Sequence, residues 1–157
     1  MHPEQVTVVV PTYNERENLP HLAAAVLLHG FRLIVVDDNS PDGTGAVAEE
    51  LAATTGFVDV IHRSSKRGIG PAYGDGFTGA IASGAEVIVQ MDCDFSHNPE
   101  DIPRLVAAVE SGAGLALGSR YVPGGATPDW SLHRRFLSRG GNLYARIMLG
   151  IPIRDAT

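Results

Sequence analysis

The chain has 157 residues, 44% hydrophobic and 19% charged, which suits one domain with a real core and excludes wholesale disorder. Its formal charge of -6 excludes the basic footprint of a non-specific nucleic-acid binder, and no apolar run approaches the roughly 18–20 residues of a membrane span. The single cysteine, Cys93, excludes an internal disulfide, and no basic-then-apolar leader opens the chain, so a reducing, cytoplasmic setting is expected.

Val6 to Val10 reads as the first strand, and it runs into "PTYNERE" rather than the Gly-x-Gly-x-x-Gly of a dinucleotide fold. Tyr13 and Glu15 at such an edge can stack on a nucleobase and accept its N–H groups, or simply belong to a capped turn. Asn14 with Glu17 is expected to form a capping box for a helix over 17–28. Leu33 to Val36 is the second strand, followed by "DDNSPDGT" and a helix over 44–54. Ser40, Asp42 and Gly43 are turn and cap chemistry. Of Asp37 and Asp38, adjacent on a strand and so pointing to opposite faces, one can face a base or ribose while the other supports the turn.

Val58 to Ile61 is a third strand, and a helix over 71–83 follows "RGIGPAYGDG". That segment lacks the Gly-Lys-Ser/Thr ending of a phosphate loop and reads as a flexible turn leading into a closely packed helix start. Val87 to Met91 is the fourth strand, ending in "MDCDFSHNPE". Asp92 and Asp94, one residue apart in extended geometry, project from the same side and can converge on a hard divalent cation, Mg²⁺ or Mn²⁺, although Asp-x-Asp alone is a short and common pattern. Cys93 reads as a packing residue, because flanking acids disfavour its thiolate. His97 can serve the site or the surface. Asn98, Pro99 and Asp101 supply a cap, a first-turn proline and a first-turn acid for a helix over 99–111.

Leu115 to Gly118 is expected as a fifth strand, then a Pro/Gly-rich stretch, "VPGGATPDW", and a helix over 131–149. The repeated β–α alternation predicts an α/β fold with a mainly parallel sheet covered by helices on both faces, its ligand site at the carboxyl edge of the strands. Residues 1–111 hold six Lys/Arg against sixteen Asp/Glu, a net of -10, whereas residues 112–157 hold six Arg against two Asp, a net of +4. On the last helix Arg135, Arg139 and Arg146 share a stripe beside Leu132, Phe136, Leu143 and Ile147, which suits either an anionic membrane surface or core packing with a solvated edge.

"VPTYNERENLP", "VVDDNSPDGT", "MDCDFSHNPE" and "LGSRY" occur in the order found in glycosyltransferase family 2, and together they resemble the polyprenol-phosphate (dolichol-phosphate) mannose synthases. The resemblance covers nearly the whole chain. It implies a single GT-A domain over 1–157 that lacks the family's C-terminal part, GDP-mannose as donor, Mg²⁺ or Mn²⁺, and inverting transfer of mannose to a polyprenyl phosphate at the cytoplasmic face of a membrane. By motif match Pro11, Tyr13, Glu15, Val36 and Asp38 hold the guanosine part. Asp92, Cys93 and Asp94 lie along the phosphates and metal, and Ser96 falls at a ligand position of some relatives. Arg120 and Arg134 match positions that meet the acceptor phosphate or donor diphosphate, a task for which the guanidinium's paired donors are suited. The rival expectations are a UDP-sugar-dependent polyprenyl-phosphate glycosyltransferase and a catalytically silent nucleotide-binding module.

Overall fold

A computed structural model describes residues 2–122, 130–150, 153 and 155. Two compact units are present, one running to Ala116 and the other from Leu117.

The first unit is built on four parallel strands: β1 (Val6–Thr12), β2 (Arg32–Asp37), β3 (Val58–His62) and β4 (Val87–Gln90), in the order β3-β2-β1-β4. β1 and β2 are buried almost throughout, because apolar side chains alternate to both faces. Val6, Val8, Val10, Leu33 and Val35 pack on one face with Leu19, Leu22 and Val26 of α1 (Asn18–Leu28), Ala48 of α2 (Thr44–Thr55), and Ile102 and Val106 of α4 (Ile102–Glu110). Val9, Ile34 and Val36 pack on the other with Ala72, Tyr73 and Ala80 of α3 (Ile69–Ala82). Crossovers of one hand account for this split. The chain steps outward from β1 to β3 with its helices on one face, then returns past β1 to β4 with α3 on the opposite face. The loops after β1 and β4 therefore diverge at neighbouring strand ends, where open α/β sheets bind ligands.

α3 can lie this close because of Gly76, where a Cβ would come 2.3 Å from Val9 Cγ1. The expected close packing is thus real at Gly76, while Gly70 and Gly74 have open space around them. Asn98 caps the short 3₁₀ turn Pro99–Asp101 ahead of α4 by accepting from the Glu100 N–H at 3.2 Å.

Two local expectations fail. Asn14 forms no capping box: α1 begins at Asn18, and Asn14 sits in the left-handed region at φ 62° with its N–H donated to Ser40 Oγ. Leu115 to Gly118 forms no strand, since these residues join no ladder and Leu115 and Leu117 are exposed. A strand is defined by its partner, and apolar alternation alone does not provide one.

In the second unit α5 (Leu132–Leu149) starts at Ser131, whose hydroxyl accepts from the Arg134 N–H at 3.3 Å. Its buried residues are polar, Ser138 and Asn142, and Tyr121 donates to Ser138 Oγ at 2.8 Å. Its apolar residues are turned outward, with Leu132 82%, Phe136 77% and Ile147 71% exposed. The Pro/Gly-rich expectation over 123–129 lies outside the described residues.

Candidate active site

Three acidic loops meet at the carboxyl edge of β1, β2 and β4. Register brings the first two together, with Pro11 opposite Val36 and Thr12 opposite Asp37, and the Asp38 N–H donates to the Thr12 carbonyl at 3.0 Å. The Val36 side chain is fully buried, so only its backbone can face a ligand. Glu15 is held from two sides: its N–H donates to Thr44 Oγ1 at 2.9 Å, and Asn18 Nδ2 donates to its Oε2 at 2.8 Å. The Tyr13 ring is partly exposed, and Lys66 Nζ lies 3.7 Å from its centroid as a cation–π contact.

The two acids at the end of β2, Asp37 within it and Asp38 just beyond, divide their tasks. Asp37 accepts from the Ser40 hydroxyl at 2.5 Å and from the Ser40 N–H at 3.3 Å, which ties the turn. Asp42 accepts from the Thr44 hydroxyl at 2.6 Å and N–H at 3.0 Å, which ties the turn that leads into α2. Asp38 instead accepts from Arg63 Nη1 at 2.5 Å. Arg63 follows β3, and its Nε lies 3.0 Å from Asp75 Oδ2 without the alignment of a hydrogen bond, while its Nη2 is buried with no hydrogen-bond partner among the described residues. The motif reading missed this arginine. Its one signal is position: it leaves β3 at the edge where β1 and β2 release Glu15 and Asp38.

The third loop carries Asp92, Cys93 and Asp94. Tyr73 of α3 donates from its hydroxyl to Asp92 Oδ1 at 2.6 Å, and burial, followed by the Asp92 contact, pushes that phenol's pKa well above its ordinary value. The Asp92 N–H donates to His97 Nδ1 at 3.3 Å. Ser96 donates its N–H to Asp94 Oδ1 at 2.9 Å, and its hydroxyl and N–H, with His97 nearby, hold the Asp94 carboxyl below the ordinary range. Burial, then the charges of Glu15, Asp94 and Asp92, push the Cys93 thiol up to about 12, so it is a protonated core residue. Phe95, between Asp94 and Ser96, has φ 58°; with Asn14 and Asn39 (φ 57°) it places a left-handed non-glycine residue in each of the three loops. For a phenylalanine this conformation is strained, and strain of this kind gathers at ligand-binding edges.

Among the described residues no group of three or more His, Cys, Asp and Glu is arranged to hold a metal ion. The loop offers two carboxylates, one of them held ionised, which is the donor set of Mg²⁺ or Mn²⁺ sites that finish their shell with substrate phosphates and water. Ser96 is engaged as a donor to Asp94.

In the second unit Arg120 and Arg134 lie on one aromatic ring, their guanidinium carbons 4.5 and 4.2 Å from the Trp130 centroid. Arg120 also pairs with Asp155, its backbone N–H and Nε each donating to Oδ2 at 2.8 Å and Nη2 to Oδ1. This pair raises the Arg120 pKa and lowers that of Asp155. The family resemblance pointed to both arginines, as phosphate contacts, and gave no sign of Trp130 and Asp155 as their partners.

Residues 7–157 match the profile described as Glycosyl transferase family 2. The chain belongs to this family. Among curated relatives, the family member named polyprenol monophosphomannose synthase from Mycolicibacterium smegmatis is 50% identical over 98% of this chain and 59% of its own length. Undecaprenyl-phosphate mannosyltransferase from Micrococcus luteus is 45% identical over 98% of this chain and 63% of its own. The chain thus spans about three fifths of the length of these relatives. In fold it is similar to S. aureus TarS 1-349, solved in complex with UDP, at TM-score 0.53 and 22% identity over 68% of this chain and 32% of that one. The α/β architecture expected of a GT-A family-2 enzyme, a parallel sheet with helices on both faces, is the one observed.

Proposed function

We propose that the protein transfers mannose from GDP-mannose to a polyprenyl phosphate, with inversion at the sugar carbon. The observation that carries the reading is the 50% identity, over nearly the whole chain, to a polyprenol monophosphomannose synthase. In this reading Pro11, Tyr13, Glu15, Val36 and Asp38 hold the guanosine, Asp92 and Asp94 face the diphosphate and a Mg²⁺ or Mn²⁺ ion with Ser96 beside them, and Arg120 and Arg134 meet phosphate. The bound cation would offset charge developing on the departing diphosphate.

An acceptor phosphate oxygen forms a bond to the anomeric carbon as that carbon's bond to GDP breaks, and the electron pair leaves with GDP. The nucleophile is a phosphate monoester with a second pKa of about 6, so it is already anionic near neutrality and calls for no protein base. What the chain contributes is placement and charge, through arginines for the acceptor and carboxylates for the donor's metal-bound end.

A lipid acceptor brings the site to a membrane. No helix among the described residues is long and apolar enough to cross one. In this reading α5 rests on the anionic cytoplasmic face, its outward Leu132, Phe136 and Ile147 dipping in beside Arg135, Arg139 and Arg146.

The test is incubation with radiolabelled GDP-mannose, polyprenyl phosphate and Mg²⁺ or Mn²⁺, followed by extraction of the lipid phase. Labelled lipid is the expected result. GDP binding without lipid product would favour a silent module, and preference for a UDP-sugar would overturn the donor assignment.

A further inference from the structure

Helix α3 reaches two of the acidic loops. Tyr73 donates to Asp92 at 2.6 Å, and two residues on, Asp75 lies 3.0 Å from the Arg63 that pairs with Asp38. The Tyr73 ring is buried and packs on Phe77 with centroids 5.8 Å apart, and Gly76 seats the same helix on Val9. Its hydroxyl is therefore a donor with little freedom to move, rooted on the face of the sheet opposite α1 and α4.

We propose that Tyr73 is a positioning residue for the nucleotide-and-cation end of the site, acting through Asp92. A carboxylate's last torsion is soft, and Asp92 lies in the loop beyond the end of β4. With Oδ1 committed to the phenol, the plane of the group is set and Oδ2 is the oxygen it presents. The same donor draws charge from one of two neighbouring carboxylates, which eases their repulsion before any ligand arrives. Partners of this kind commonly account for 10–100-fold in metal affinity, roughly, when they are removed.

The inference rests on the reading of the Asp92–Asp94 loop as the end that meets the donor diphosphate and its cation. Calorimetric titration of GDP in the presence of Mn²⁺ tests it on four proteins: wild type, Tyr73→Phe, Asp92→Asn and the double variant. Tyr73→Phe keeps the buried ring and removes only the oxygen. It should weaken binding about tenfold, or about 1.4 kcal/mol, while melting as a folded protein. In the Asp92→Asn background the same change should weaken binding less than about twofold, because the group it acts through is already altered. Equal losses in both backgrounds would mean a packing role and overturn the inference, as would unchanged affinity in Tyr73→Phe alone. Failure of wild type to bind GDP with Mn²⁺ would overturn the functional reading and this inference together.

Discussion

Arg63→Met removes a cation while keeping an unbranched apolar stem, and the structure gives the cost. The side chains of Arg63 and Asp38 are 3% and 7% exposed and 2.5 Å apart, so the variant leaves a buried carboxylate with no cation against it. Removing one member of a buried pair costs about 3–5 kcal/mol. Asp38 stands just beyond β2, where the loop can yield toward water, so the lower end of that range applies, about 3 kcal/mol. For a chain of this size that is a fall of roughly 6–12 °C in Tm. Asp38→Asn should cost less, because Arg63 keeps Asp75 3.0 Å from its Nε. In the double variant neither charge is stranded by the other's loss, so the total should fall short of the sum by about 1–2 kcal/mol. Denaturant unfolding of the four proteins, with slopes compared, reads these quantities. Additive losses, or a cost below about 1 kcal/mol for Arg63→Met, would refute the description of Arg63 and Asp38 as one coupled buried pair.

Asp94→Ala should abolish cation-dependent transfer in initial-rate assays at saturating Mn²⁺, whereas Cys93→Ala should keep substantial activity; equal loss in a folded Cys93→Ala enzyme would contradict its packing role. Gly76→Ala should destabilise by about 1–2 kcal/mol, because the clash with Val9 outweighs the helix preference of alanine, while Gly74→Ala, with nothing within 4 Å, should stabilise by about 0.5–1 kcal/mol. Opposite signs in parallel thermal melts are the result to look for. The Cys93 thiol rises from 9.0 to about 12 on folding, so above pH 9 the unfolded chain holds fewer protons and stability should fall as pH climbs through that window. Iodoacetamide labelling at pH 8 should accordingly be slow in the folded protein and fast in denaturant.

The fold was largely legible because its signals are local. Val8 and Val10 alternate with Val9 to opposite faces, Asn98 and Pro99 announce α4, and the apolar runs of β1 to β4 recur with helices between them. The misreadings also have local causes. Asn14 and Glu17 have the spacing of a capping box, but the tertiary contact to Ser40 draws Asn14 into a left-handed turn. Leu115 and Leu117 alternate without a strand to pair with among the described residues. At the candidate site the acids declare themselves by type and spacing, whereas their partners do not. Arg63 lies 25 residues from Asp38, and Tyr73 lies 19 from Asp92. Only the return of the chain across β1 brings the second pair together, and no pattern in "RGIGPAYGDG" says which side chain will face the acid.

β1 pairs with β2 across 25 residues, Thr7 with Arg32, but with β4 across 81, Val6 with Val87. Loop-closure entropy grows with the logarithm of length, so the second pairing costs about 1 kcal/mol more to bring about, and long-range pairings form slowly. A folding chain can therefore join Glu15 to Asp38 early, while Asp92 and Asp94 come to the same edge only when β4 docks. The half proposed to face phosphate and cation would then be the last to be assembled. In a refolding experiment, the recovery of Mn²⁺-dependent nucleotide binding would time the arrival of the fourth strand.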